Sequence, residues 1–477
     1  MSSSAFIPRP IFEVSSSLVR SYFLGHHNAA LRSMREMIQN VNLVLECRDS
    51  RVPLTSANPL LESALAGRDR IIVYTKSDLC SDIKSKRWKE KRLRLMTEWN
   101  STTPQGFLAL RAAAAAEAEA EEEGDVDTAV VTGLEGKEID TEVESGTETA
   151  APETTSSSEP PLQIINTETR GPAGGRTQVI YTSKDKPSST RALLSAIKKL
   201  AIDHADNSIM GLRALVVGMP NVGKSTLLNE LRYAGMSIPH SGNKIHKAAK
   251  TGGNPGVTRK FSTPVRIIAK SPSLSSPSTW GSRSASASTD TNALSQAEFD
   301  PSQPDVGEGV FLVDTPGVFI PYAPSVEAML KLALVGCVAD SIIPAEIIAD
   351  YLLFLLNLRD PKLYRDLSPP TNDVGEFLKN TAIHTGKLKK GGTAAREIAA
   401  NWVVQRYREG RFGGFGLDEI SEEALVRHAR KLVEEGEKEA PMSLSQARKR
   451  EKAARAAKHA AKRAAAKDSG ASSAASF

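Results

Sequence analysis

Short apolar runs punctuate the chain at Val41 to Glu46, Ile71 to Thr75, Val179 to Tyr181, Leu212 to Val217, Val265 to Ile268 and Val310 to Val313. Runs of this length without strict alternation read as strands buried on both faces. Helical spacing fills several of the gaps, as in Thr190 to Ala201 and Ser225 to Arg232. Strands alternating with helices predict an α/β fold built on a largely parallel sheet. Beyond Pro324 only helical spacing remains, in Ser325 to Val335, Ala345 to Leu356, Thr393 to Arg408 and Ile420 to Glu437, broken at Pro361, Pro369 and Gly413-Gly414. The pattern therefore predicts an α/β domain over 21–322 and a smaller all-α C-terminal domain over 323–437.

Two stretches interrupt the α/β pattern. Residues 108–176 are alanine/glutamate-rich and then threonine/serine/proline-rich, and residues 271–307 are serine-rich. Neither carries enough large apolar side chains to offset the entropy of ordering, so both are expected to be disordered inserts. Residues 1–20 are serine-rich, with Arg9 and Arg20 against the single acid Glu13. That composition suits a mitochondrial presequence and equally a frayed terminus. Residues 438–477 form an Ala/Lys/Arg tail of high helix propensity with little to bury, expected to order on an acidic partner.

The 477 residues carry 61 Lys and Arg against 56 Asp and Glu, a small excess that matters because the charges are segregated. Acid gathers in Glu117 to Asp127, base in Lys84 to Arg94 and Arg448 to Lys467. The basic segments read either as phosphate-contacting surfaces for nucleic acid or as solvated helix faces. The three cysteines, Cys47, Cys80 and Cys337, lack CxxC spacing, which argues against a disulfide framework or zinc site. The longest apolar stretch, Ile342 to Leu356, is interrupted by Glu346 and Asp350, so no transmembrane segment is expected.

Chemistry enters at Gly218-Met219-Pro220-Asn221-Val222-Gly223-Lys224-Ser225, a complete GxxxxGKS loop between a strand-like and a helix-like run. Its glycines let backbone N–H groups close around phosphates; Lys224 reaches the outer phosphates, and Ser225 offers a hydroxyl to Mg²⁺. Asp314-Thr315-Pro316-Gly317 ends another strand, with Asp314 as a metal-side carboxylate and Gly317 placing an N–H near a γ-phosphate; in isolation the same tetrapeptide is a Pro-Gly turn. Thr258, in Pro255-Gly256-Val257-Thr258-Arg259, is a candidate second Mg²⁺ hydroxyl from a glycine-flanked loop, or a plain loop threonine. Thr75-Lys76-Ser77-Asp78 follows the strand ending at Tyr74 and is similar to the NKxD motif, in which the carboxylate accepts both guanine donors, a pair adenine lacks. Tyr181-Thr182-Ser183-Lys184 is similar to the SAK element beneath the base. GTP is thus the expected nucleotide, with Thr75, Lys76, Asp78, Thr182, Ser183, Asn221, Val222, Gly223, Lys224, Ser225, Thr226 and Gly317 binding it.

The order of these motifs is base motif, SAK-like element, P-loop, threonine loop, DTPG, whereas an ordinary GTPase begins with its P-loop. With Asp49-Ser50-Arg51-Val52-Pro53 and Asn58-Pro59, similar to a DARxP…NP signature, and with Leu332 to Asp340 and Gly386 to Gly392, the chain resembles the YlqF/RbgA family of circularly permuted GTPases. The resemblance implies GTP hydrolysis with Mg²⁺, potassium activation through Asn221, and an apolar residue, Val318, where other GTPases carry a water-orienting glutamine. It also implies that His26, in Tyr22-Phe23-Leu24-Gly25-His26-His27, takes part in hydrolysis beside Lys224 and Thr258. As partners it implies the large ribosomal subunit and its rRNA, with the mitochondrial matrix as first choice and peripheral association with the mitochondrial inner membrane. Nucleolar or cytosolic subunit assembly, and a GTP sensor with negligible turnover, are the alternatives.

Overall fold

The apolar runs are all strands in a computed structural model of the chain: β1 (Leu43–Asp49), β2 (Asp69–Thr75), β4 (Arg176–Tyr181), β5 (Leu212–Gly218), β6 (Val265–Ile268) and β7 (Val310–Asp314), with a short β3 (Thr169–Arg170) added. The structure describes residues 6–13, 25–58, 61, 64, 65, 67–80, 86–126, 169, 170, 175–204, 211–236, 248, 249, 252, 261–269, 306, 308–318, 323–389, 392–436, 451, 452 and 455. The strands form one sheet in the order β3-β4-β2-β1-β5-β7-β6. The five inner strands are parallel, and β3 and β6 pair antiparallel at the two edges. β1 is the central seam: it pairs with β2 from Leu43↔Asp69 to Asp49↔Thr75, and with β5 from Leu43↔Ala214 to Cys47↔Gly218.

Burial on both faces explains why the middles of the strands are mainly apolar, with charged residues such as Asp49 and Asp69 at strand ends. On one face Leu45, Val73, Val216 and Leu312 join a buried cluster that takes in Leu193 and Ile197 of α4 (Pro187–Asp203) and Leu227 and Leu231 of α5 (Lys224–Gly235). On the other, Val44, Leu215, Val217 and Val313 meet Met34 and Ile38 of α1 (Gly25–Ile38). A third cluster joins Ile72 and Tyr74 to Leu95 and Met96 of α2 (Lys86–Ser101) and Phe107 of α3 (Pro104–Val126).

The helices beyond residue 323 are α6 (Val326–Leu334), α7 (Ala345–Arg359), α8 (Val374–His384), α9 (Arg396–Arg408) and α10 (Glu422–Gly436). Local chemistry sets several starts: Ser325 accepts from Ala328 N at 3.0 Å, Asp373 from Gly375 N at 2.8 Å, and Ser421 from Ala424 N at 3.1 Å. The first buried cluster runs on from the sheet into Leu352 of α7 and Val403 of α9, while Leu425 and Ala429 of α10 return to the third cluster.

Three expectations need correction. The stretch from residue 108 begins as helix, not as a disordered insert: α3 runs to Val126, because alanine and glutamate are strong helix formers and Phe107 anchors its first turn in the core. β3 likewise falls inside the expected insert, paired to β4 through Thr169↔Thr177. Within the basic segment 84–94, Arg92 is turned inward beside Cys80 rather than toward solvent. The remainder of both inserts and most of the tail lie outside the described residues. Residues 6–13, inside the segment read as a leader, lie along α7: Arg9 pairs with Asp350 at 2.6 Å, Asn372 donates to the Ile7 carbonyl at 2.9 Å, and the Phe12 ring meets Tyr351 at 5.2 Å. Among the described residues no helix is long and apolar enough to cross a membrane.

Candidate functional site

The phosphate loop bridges β5 and α5 at the middle of the sheet, and its backbone explains its residues. Gly218 has φ 143°, and a side chain there would meet the Cys47 carbonyl oxygen at 2.3 Å; Gly223 has φ 94°. Asn221 also adopts a left-handed φ of 58°, a conformation that asparagine tolerates better than most residues. Val222 is buried, and Thr226 follows on the first turn of α5. Lys224 is folded over its own loop, its Nζ donating to Met219 O at 2.7 Å and Gly218 O at 3.3 Å. Burial pushes its ammonium below the usual lysine range, against the pull of Asp314.

DTPG lies directly on that loop. Ser225 Oγ donates to Asp314 Oδ2 at 2.5 Å, and Val318 N donates to Gly218 O at 3.2 Å. Gly317 is required by contact: a Cβ there would stand 2.6 Å from Pro220 Cα. Burial raises the Asp314 carboxyl, while the Ser225 hydrogen bond and Lys224 oppose the rise. Among the described residues Asp314 Oδ1 is buried without a hydrogen-bond partner. A hydroxyl and a buried carboxylate with an orphaned oxygen are a donor set that fits Mg²⁺, which takes one or two protein oxygens and completes its shell with phosphates and water.

The base motif reaches the same loop from β2. Thr75 Oγ1 donates to Val222 O at 2.6 Å, so threonine makes a bond to the phosphate loop from the position where the NKxD pattern has asparagine. Lys76, at φ 56°, donates to Asn221 O at 2.8 Å and to Asp49 Oδ2 at 2.9 Å. Asp78 is exposed on the following turn, Ser77–Leu79, its carboxylate accessible to a base. Thr182 and Ser183 are buried next to it; Thr182 O accepts from Ser77 N at 3.1 Å, and Ser183 Oγ accepts from Asp185 N at 3.2 Å.

Sequence reasoning quoted Asp49 and Arg51 without giving them a task. Arg51 grips Asp49 through two bonds, Nε to Oδ1 at 3.0 Å and an Nη to Oδ2 at 2.8 Å, and both side chains are buried. Burial alone would raise the Asp49 carboxyl; Arg51 and Lys76 outweigh it and hold it well below the usual carboxylate range. Its contribution to stability is therefore present above the ordinary carboxylate pKa and lost as pH falls toward the depressed value. Arg51→Met should cost about 3 kcal/mol by leaving the buried Asp49 carboxylate with Lys76 as its remaining charged partner. Chemical denaturation checks this, and Asp49→Asn in the Arg51→Met background should restore most of the loss.

Other residues missed by sequence reasoning tie the loop to the helices. Asn221 Nδ2 donates to Gly336 O at 3.2 Å, and Arg408 of α9 donates to Ala333 O at 2.9 Å and Leu334 O at 3.1 Å at the end of α6. Asp418 accepts from Leu54 N, Thr55 N and Thr55 Oγ1 at 3.0, 2.8 and 2.6 Å. Only the pairing of these segments in space reveals such contacts. Of the proposed catalytic groups, Lys224 is in place, His26 lies on the first turn of α1 with its side chain outside the described residues, and Thr258 is wholly outside them. Burial pushes the Cys47 thiol up to about 12 and the Cys337 thiol up to about 11, the direction that disfavours the nucleophilic thiolate.

The chain is similar to known proteins over most of its length. Residues 213–384 match the family described as 50S ribosome-binding GTPase. Mitochondrial GTPase 1 of Schizosaccharomyces japonicus is 32% identical over 84% of this chain and 91% of its own length. Mitochondrial ribosome-associated GTPase 1 of Xenopus tropicalis is 23% identical over 87% of this chain and 99% of its own. A crystal structure of GNP-bound YlqF from T. maritima superposes with a TM-score of 0.38 at 18% identity, covering 82% of this chain and 98% of that one. With its base motif on β2, its phosphate loop after β5 and DTPG after β7, this chain is a circularly permuted GTPase and belongs to the family of the mitochondrial GTPase 1 proteins.

Proposed function

We propose that this GTPase serves assembly of the mitochondrial large ribosomal subunit on the matrix side, its nucleotide state controlling docking on rRNA. The observation that carries the reading is the direct bond from the phosphate loop to the helical region, Asn221 Nδ2 to Gly336 O at 3.2 Å, beside a switch that leads within a few residues into α6. A loop that shifts with the γ-phosphate therefore acts on the helices without an intervening domain. The relatives' names, mitochondrial GTPase 1 and mitochondrial ribosome-associated GTPase 1, support the choice of compartment and particle.

In this reading Asp78 accepts the guanine donors above Thr182 and Ser183, Lys76 covers base and sugar, and the 221–226 backbone cradles the phosphates. Ser225 and Asp314, with Thr258, hold Mg²⁺, which neutralises charge on the β- and γ-phosphates. Lys224 stabilises the transferred group, and His26 orients water, since Val318 is buried and apolar. Asn221 would hold K⁺, which would supply additional positive charge, and association with the inner membrane is peripheral.

Sedimentation of tagged protein from mitochondrial extract tests the proposal. Protein loaded with a non-hydrolysable GTP analogue should travel with the large subunit or its precursor, GDP-loaded protein should stay near the top, and raised salt should weaken the association steeply. Equal sedimentation in both nucleotide states would remove nucleotide control, and absence from every ribosomal particle would remove the ribosomal reading.

A further inference from the structure

Hydrolysis requires that the residue after DTPG be held still, yet Val318 has no side-chain polarity with which to fix itself. Its peptide is clamped from two sides. Val318 N donates to Gly218 O at 3.2 Å, and Val318 O accepts from Asn58 Nδ2 at 3.3 Å. Both Asn58 and Val318 are buried. Asn58 comes from the far side of the sheet seam, in the loop that follows β1.

That loop is anchored at three further places. At its start Ser50 N and Oγ both donate to Thr75 O, at 3.0 and 2.7 Å, next to the base motif. At its middle Leu54 and Thr55 are bound by Asp418. Just beyond Asn58, Leu61 N donates back to Asn58 O at 2.9 Å, and Leu61 shares its apolar cluster with Val318 and with Met34 and Ile38 of α1. One short stretch, residues 50–58, thus touches the base reader, the segment leading into α10, and the switch.

We infer that Asn58 is a positioning residue for GTP hydrolysis: its side-chain amide holds the Val318 peptide in the orientation the reaction needs and links it, through the 50–58 loop, to Asp418. Among the described residues the Asn58 side-chain amide reaches the switch through the backbone carbonyl of Val318. Its loss should lower the rate of the chemical step and leave nucleotide recognition alone. A merely structural asparagine would lower both together.

The test uses the full chain with Asn58→Asp, which keeps the shape and removes the donor. Single-turnover hydrolysis should slow about tenfold, the size expected when one buried hydrogen bond acting in the transition state is lost. GDP affinity, read by a fluorescent analogue, should stay within about twofold, and Asn58→His, which returns an N–H donor of similar reach, should recover part of the rate. Unchanged hydrolysis overturns the inference, as does a loss of GDP affinity that matches the loss of rate. Hydrogen exchange on the unsubstituted protein gives an answer that does not depend on how the variants fold. Segments 50–58 and 315–318 should gain protection together when a GTP analogue replaces GDP, and protection gained by 315–318 alone overturns the link.

Discussion

Lys224→Ala should slow single-turnover GTP hydrolysis by on the order of 10²- to 10³-fold, the range for removing one preorganised charge donor from a developing transition-state charge. The argument rests on where the ammonium sits. It is buried between the phosphate loop and Asp314, bonded only to the backbone carbonyls of Gly218 and Met219 among the described residues, and burial lowers its pKa. An ammonium so placed gains most when a more highly charged partner arrives, and the γ-phosphate end of GTP is that partner. GTP-analogue affinity should therefore fall more than GDP affinity. The two affinities and the rate, measured side by side, check it, and a rate within tenfold of the unsubstituted protein would contradict the assignment.

Gly317→Ala should be nearly as severe, for a steric reason. The added methyl would lie 2.6 Å from Pro220 Cα and N, which are backbone atoms with no rotamer to yield. Either the phosphate loop or the switch must move, and the Val318 N to Gly218 O bond goes with it. A displacement of about 1 Å at a reacting centre costs about 10²-fold in rate. The contacts of Thr182 and Ser183 beneath the base do not involve Pro220 or Gly317, so GDP should bind nearly as before while discrimination between GTP analogue and GDP narrows. Calorimetric titration with each nucleotide checks that split. Full activity in the alanine variant would mean that the close contact is not kept in the working enzyme.

The strands were legible because a parallel sheet covered on both faces needs unbroken apolar runs, and Leu212 to Val217 or Val310 to Val313 can be little else. The phosphate loop, DTPG and the base motif were legible because each places glycine, lysine or aspartate at a strand end where phosphate or base chemistry demands it. α3 was misread because alanine and glutamate carry helix propensity without an apolar stripe, and composition alone was taken as disorder. α8 escaped notice because its buried face amounts to Phe377, Leu378, Thr381 and Ala382. The roles of Gly336, Arg408 and Asp418 could not be read, since their partners are distant in sequence and polar contacts leave no periodic trace, and the Arg51–Asp49 pair, though adjacent in sequence, carried no sign that it would be buried. Thr75 shows the reverse: a departure from pattern that turned out to reach the loop through Val222 O.

The β1–β5 seam has a consequence for how the protein comes into being. The base motif after β2 is synthesised first and the element at Thr182 and Ser183 follows β4, whereas the cradle for the phosphates emerges after both and is in place only when β5 docks against β1. A nascent or partly imported chain therefore holds half a nucleotide site. Guanine nucleotide binds only after the seam closes, so the cellular pool of GTP and GDP acts by mass action as a folding ligand for the finished molecule. Permutation thereby turns nucleotide binding into a report that the two halves of the site have met across the β1–β5 seam.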